Sequence, residues 1–383
     1  MFYIVTKQPP RYHQMTLEEL IFGIHCDQPL FISNDTNTRT YVRSAVPDKF
    51  KGQINVSRMI EKLREFNQET EPLRQQPRES LYATFYIPKS SGGWRRIDAP
   101  YDELMKPLRQ LKQLFEDDFR VLYHTSAFAY VKGRSTLKCI QRHQQNESKW
   151  FAKLDLHDFF GSTTLDFVMR QFSMVFPFSE ICAQEDGRAE LKKALELGFL
   201  NGGLPQGTPL SPTLTNIMMI PVDFQLSKKL RDFNGNNFIY TRYADDFIIS
   251  SKYDFKISEV EQLVVDTLRG FDAPFYLNQQ KTRYGSSAGA NWNLGVMLNK
   301  DNEITVGYRK IKQFKSALHN YLRDKQRGIT WALNDLQVTQ GLYAYYHAVE
   351  GKKIDEIVAA FNQKNNTDVI KMIRQDIRGL SAA

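Results

Sequence analysis

The stretch Phe238-Ile239-Tyr240-Thr241-Arg242-Tyr243-Ala244-Asp245-Asp246-Phe247-Ile248-Ile249-Ser250 sets two adjacent carboxylates inside an otherwise apolar, β-prone run. β-Branched and aromatic residues on both flanks favour strands, and Asp tolerates turn geometry because its side chain can bond its own backbone. The spacing predicts a β-hairpin with its acids at the turn. Neighbouring carboxylates repel, and taking them out of water is costly unless a cation neutralises them. A divalent metal meets that need. Hard cations want oxygen ligands and commonly bridge protein carboxylates to substrate phosphates, so a further acid from elsewhere in the chain is expected. In Phe151-Ala152-Lys153-Leu154-Asp155-Leu156-His157-Asp158-Phe159-Phe160, Asp155 closes a second strand-like run that can lie beside the hairpin.

Acids so arranged suit two-metal phosphoryl transfer, with Asp155 and Asp245 as metal ligands and Asp246 in support. Between them in the chain lies Gly203-Leu204-Pro205-Gln206-Gly207-Thr208-Pro209-Leu210-Ser211-Pro212. This loop, the Asp155 segment with its Phe-Phe ending, and Tyr243-Ala244-Asp245-Asp246 together resemble the palm motifs of the reverse transcriptases, in that family's order and rough spacing. The tetrapeptide alone recurs by chance, whereas the three jointly are specific. The resemblance implies an α+β right-hand polymerase with fingers, a palm of antiparallel sheet plus helices, and a helical thumb. It implies RNA-directed DNA synthesis from dNTPs with two Mg2+ ions, for which Mn2+ can substitute, an RNA template and a DNA product. The catalytic residues would be Asp155, Asp245 and Asp246, with the Leu156 carbonyl as a further metal contact.

The same resemblance gives roles to other segments. Leu81–Pro88 and the stretch Lys89–Pro100, with its Ser/Gly turn, read as a hairpin whose Lys89 and Arg95 would hold the incoming triphosphate; without that context a basic hairpin is more often solvated surface. Phe160 falls where the family places a gate against the ribose 2′-hydroxyl, and Gln206 where a side-chain amide meets the nascent base pair. Phe159 and Phe160 read alone are core residues, and one of them must be, since consecutive strand residues point to opposite faces. Lys281 resembles a lysine near the pyrophosphate, as general acid or countercharge, although an exposed structural lysine fits nearly as well. Lys132 and Arg134 flank Gly133 in a fingers–palm segment suited to nucleic-acid phosphates. Asn293-Leu294-Gly295-Val296 resembles the primer-grip turn. Arg309, Lys310 and Lys312 open a thumb whose helices, expected at 308–325, 330–348 and 354–363, would grip the duplex backbone; Leu342, Tyr345, Tyr346 and Val349 would form its core.

Composition agrees. Lys and Arg number 51 against 43 Asp and Glu, a net +8 that favours a polyanionic partner. Cys26, Cys139 and Cys182 are too few and too scattered for a disulfide framework or a zinc site, which fits a reducing cytoplasm. No apolar run approaches membrane-spanning length, so a membrane role is not expected. The chain divides into an N-terminal extension at 1–80 with a short helix over Thr16–Gly23, fingers at 81–150, palm at 151–299 and thumb at 300–383. The chain resembles the compact bacterial reverse transcriptases of retrons and of phage-defence or abortive-infection systems, although Cys139-Ile140 and Asn293-Leu294-Gly295 differ from the retron pattern. A dedicated non-coding RNA in anti-phage defence is expected, and a protein partner or homo-oligomer is compatible with the sequence. Two alternatives stay open: untemplated or protein-primed DNA synthesis, and a non-catalytic RNA-binding scaffold.

Overall fold

The computed structural model describes residues 55–89, 92–235, 237–289 and 294–382; the helix expected at Thr16–Gly23, the turn residues Ser90 and Ser91, and Asn293 lie outside them. The chain packs as two units. Of the described residues, one takes those up to Arg134 with those in Ala152–Ile249 and Lys256–Arg283, and the other takes those in Ser135–Phe151, Ser250–Phe255 and from Tyr284 onward.

In the first unit, helix α1 (Val56–Glu69) starts where the Asn55 side chain accepts the Arg58 N–H at 2.9 Å, and it buries Met59, Ile60, Leu63 and Phe66. Strands β1 (Tyr82–Pro88) and β2 (Trp94–Pro100) pair antiparallel, Tyr82 opposite Pro100 and Pro88 opposite Trp94. Helix α2 (Asp102–Gln113) buries Leu104, Leu108 and Leu111 and runs into a core of Phe115, Phe172 and Phe178, whose ring centroids lie 4.5–6.0 Å apart.

The central sheet has the order β4-β5-β3-β6, formed by β3 (Trp150–Asp155), β4 (Ile239–Tyr243), β5 (Asp246–Ser251) and β6 (Arg283–Ser286). On β5, Phe247, Ile248 and Ile249 are all fully buried, because both faces of the strand are covered. Around it the sequence builds α4 (Leu165–Phe172), α5 (Glu185–Glu196), α6 (Ser211–Met218), α7 (Ile220–Asp232) and α8 (Ile257–Gly270).

In the second unit, Ser135 caps α3 (Thr136–Gln145) through the Lys138 N–H at 3.2 Å. Buried His143 meets Ser250 at 2.6 Å, and Ser250 donates to Ser148 at 2.7 Å; burial holds the imidazole down at about 3, hence neutral. A short hairpin of β7 (Met297–Leu298) and β8 (Ile304–Thr305) precedes α9 (Tyr308–Gln326), α10 (Leu333–Asn365) and α11 (Val369–Ala382). The backbone of α10 leaves helical geometry at Glu350 (φ −132°, ψ 52°), which matches the break expected between two helices. The expected core stripe is corrected: of Leu342, Tyr345, Tyr346 and Val349 only Tyr346 is buried, edge-on to Phe314 at 5.8 Å, while Tyr345 is 36% exposed. The inward face of α10 instead runs through Leu336, Thr339 and Tyr346.

Candidate active site

The acids stand where two strands end side by side. β4 stops at Tyr243, Ala244 turns the chain with φ +57°, and β5 begins at Asp246. Asp155 is the last residue of β3, next to β5, and the Leu156 N–H donates to the Asp245 carbonyl at 3.1 Å. From the other side the Asn278 N–H donates to the Asp155 carbonyl at 2.8 Å. Burial, the Asp246 charge and the Asp155 charge together push Asp245 up to about 6. Asp246 is raised too, by burial and by Asp155, against the pull of Lys153.

Two lysines neutralise this pocket. Lys281 donates to Asp155 Oδ2 at 3.0 Å, and Lys153 pairs with Asp246 Oδ2 at 2.9 Å. Asp155 Oδ1 also lies 3.0 Å from the Lys281 ammonium, but without hydrogen-bonding geometry, so this buried oxygen has no hydrogen-bond partner. Among the described residues no group of three or more acidic, histidine or cysteine side chains is placed to hold a metal ion. Magnesium rarely uses such a group: it is held by one or two carboxylates and completed by waters and substrate phosphates. A buried oxygen without a hydrogen bond, beside two carboxyls held above their usual range, is a donor set that fits such an ion.

Behind the turn sits a fully buried ion pair. The Arg242 guanidinium donates to Asp223 of α7 at 2.8, 2.9 and 3.1 Å, to Asn216 Oδ1 of α6 at 3.3 Å and to the Ala244 carbonyl at 3.2 Å. Burial works against its charge, but Asp223 outweighs burial and keeps Arg242 above its ordinary value. Tyr240 donates to the same carboxylate at 2.7 Å. One arginine thus fixes the residue that swings the acids into place. Sequence reasoning missed this group; the signal was a lone Arg in an apolar strand and lone polar residues, Asn216 and Asp223, in buried helices.

The other expected residues divide into three groups. Phe159 is core at 2% exposure and Phe160 is half-buried. The Leu204 N–H donates to the Phe160 carbonyl at 3.0 Å and the Asp98 N–H to the Gln206 carbonyl at 2.7 Å, so the Phe160 turn, the Gln206 loop and β2 form one wall. Glycines permit this: a Cβ on Gly203 would stand 2.2 Å from the Gly161 carbonyl oxygen, and one on Gly207 (φ +117°) 2.9 Å from Ile97 Cγ2. Lys89 and Arg95 are exposed on the β1–β2 hairpin, and Lys132 is exposed on its loop.

Arg134 has a different use from the one expected. Its guanidinium donates to the carbonyls of Ala127 (2.6 Å), Tyr123 (3.3 Å) and His124, holding the loop rather than reaching for phosphate. Lys310 likewise donates to the Gly295 carbonyl at 2.5 Å, clasping the turn where Gly295 has φ +85°. Arg309 and Lys312 stay exposed and line a groove of about 480 Å³ with Gln313, Ser316, Asn320 and Trp331.

Carboxylates closing adjacent strands of an antiparallel hairpin sheet, with a glycine-built wall beside them, define the palm of a right-hand nucleic-acid polymerase. Residues 87–331 match the family described as reverse transcriptase (RNA-dependent DNA polymerase), and the chain belongs to that family. Among relatives, it is 26% identical over 309 residues to the Retron Ec83 reverse transcriptase of Escherichia coli, covering 78% of this chain and 91% of the relative. It is 30% identical over 263 residues to the Retron Mx65 reverse transcriptase of Myxococcus xanthus, covering 65% and 58%. A telomerase structure from Candida tropicalis, in complex with a fragment of telomeric RNA, aligns at 14% identity and TM-score 0.45 over 79% of this chain and 54% of that one. The protein is accordingly an RNA-directed DNA polymerase, of a family that works with divalent metal ions. Among the described residues no helix is long and apolar enough to cross a membrane.

Proposed function

We propose that Asp155, Asp245 and Asp246 are the catalytic acids of templated DNA synthesis, with the Leu156 carbonyl beside them. The observation that carries this reading is the meeting of Asp155 with the Asp245 turn across adjacent strands, clamped by the Leu156–Asp245 hydrogen bond. Bound there by these carboxylates, Mg2+ or Mn2+ would supply activation of the primer hydroxyl and charge neutralisation at the leaving pyrophosphate.

This chain's own groups do the rest. Asp155 keeps one oxygen free of hydrogen bonds, and the Leu156–Asp245 hydrogen bond fixes the backbone that carries Asp245 beside it. Lys281, already at Asp155, is within reach of a departing pyrophosphate as countercharge or proton donor. Lys89 and Arg95 hold the triphosphate, Phe160 bars a 2′-hydroxyl and Gln206 backs the nascent pair. Lys132, Arg309 and Lys312 contact nucleic-acid phosphates; Gly295 is placed by Lys310 rather than by contact of its own, and Arg134 shapes the loop carrying Lys132. Fingers at 81–150, palm at 151–299 and thumb at 300–383 remain the functional division, which is a different partition from packing.

The retron relatives support a reverse transcriptase of bacterial type; on our reading it works in the cytoplasm, copies a dedicated non-coding RNA and serves anti-phage defence. The test is primer extension on an RNA template with dNTPs. Asp245→Asn should abolish incorporation and leave RNA affinity intact. Incorporation at the normal rate by that variant would defeat the assignment, and sequencing the nucleic acid that co-purifies with the wild type checks the RNA.

A further inference from the structure

Tyr130 follows a backbone bridge to the strand that carries the acids, and its setting is unusual. Ala127 forms a parallel bridge with Arg242, through Arg242 N–H to the Ser126 carbonyl at 2.6 Å and Phe128 N–H to the Arg242 carbonyl at 2.8 Å. Tyr130 and Asp245 each lie three residues beyond that bridge, on chains running the same way. The segment is held at both ends. Asn216 donates to the Ala129 carbonyl at 2.8 Å, and Arg134 donates to the Ala127 carbonyl at 2.6 Å.

Directly after the anchored Ala129, Tyr130 has φ +60° and is 55% exposed. A bulky aromatic in the left-handed region is strained, and glycine would remove the strain. A large ring kept exposed at such a cost is a functional-site signature rather than a packing one. Its surroundings identify the ligand. Partial desolvation and the charges of Asp245 and Tyr243 raise its hydroxyl above the usual phenol range, while Arg95 of β2 opposes them. The ring therefore lies within electrostatic reach of both the acid proposed for chemistry and the cation proposed for the triphosphate. A nucleotide bridging those two groups would run alongside it.

We propose that Tyr130 packs its ring against the incoming deoxynucleotide, on the sugar–base side, and fixes the nucleotide over Asp245. This rests on the polymerase assignment of Asp245 made above. An aromatic face suits the task because stacking on it does not depend on which base is present.

Three variants test it in steady-state primer extension, with melting temperatures recorded for each. Tyr130→Gly should raise the KM for dNTP about tenfold, the scale of one lost stacking contact, with a much smaller change in kcat. Its melting temperature should not fall, since the backbone strain goes with the ring. Tyr130→Phe should recover most of the lost affinity, because the ring and not the hydroxyl makes the contact. The inference is overturned if Tyr130→Gly keeps the wild-type KM, if its loss tracks a lowered melting temperature, or if Tyr130→Phe is as impaired as Tyr130→Gly. A covalent nucleotide–protein adduct that disappears in Tyr130→Phe would also overturn it, since the tyrosine would then be a primer. Asp245→Asn separates the two layers. If it still extends primers, the site assignment fails and this inference with it; if it is inactive while Tyr130→Gly keeps its KM, only the role of Tyr130 fails.

Discussion

Asp245 carries its charge at a cost. Its folded value, raised to about 6, lies above the unfolded one, so the native state binds the proton more tightly and loses stability as pH rises from about 4 to about 6. The metal-free protein should therefore melt lower at pH 7 than at pH 5 through this group. Asp245→Asn should raise stability at pH 7 by on the order of 1 kcal/mol and flatten that slope, while ending catalysis. Thermal melts across pH in a chelator check it; a variant no more stable than the wild type at pH 7 contradicts it. Arg242 makes the opposite forecast. Replacing it with Met leaves the Asp223 carboxylate buried without its cation, which should cost about 3–5 kcal/mol in a denaturant titration. A loss below about 1 kcal/mol would mean that water reaches Asp223.

At the scale of elements, the wall beside the acids depends on two backbones in contact. Gly203→Ala would drive a methyl into the Gly161 carbonyl, and overpacking of that kind costs about 1–3 kcal/mol. Primer extension by this variant should also discriminate less between dNTP and rNTP, because the Phe160 turn shifts with Gly161; unchanged sugar selectivity would separate the turn from the gate. The hairpins at 82–100 and 239–251 were legible because β-prone runs and the turn residues between them act locally. Other features were not. Arg134 looks like a phosphate ligand until the carbonyls of Tyr123, His124 and Ala127 turn toward it, and no local pattern announces that fold-back. The stripe at Leu342–Val349 failed for a related reason: a helical face is apolar at several angles, and only the partner helix decides which angle is buried. Helix α11 went unread because its polar residues mask a short apolar seam of Val369, Ile370 and Ile373.

At the scale of the whole molecule, the order of three motifs in sequence was enough to anticipate that Asp155 and the Asp245 turn lie together, since strand pairing is the simplest way to bring distant acids to one edge. What sequence could not provide was the division of labour among basic residues. Of Arg309, Lys310 and Lys312, the structure uses Lys310 to clasp Gly295 and leaves the other two on an open groove. The net charge of +8 should make binding to an RNA–DNA duplex fall steeply with salt. The double change Arg309→Ala with Lys312→Ala should weaken binding uniformly across sequences and reduce the slope of log affinity against log salt by about one to two, read by fluorescence anisotropy. A slope equal to that of the wild type would remove the groove from the duplex path.

The ammonium groups of Lys153 and Lys281, each resting on a carboxylate, have one further consequence. A bare cation entering here competes with charges the protein already carries, so it gains little by itself. A polyphosphate gives those same ammonium groups somewhere else to go. Nucleotide and divalent ion should accordingly promote each other's binding by equal factors, a reciprocity that calorimetric titration of either one, with and without the other, would display.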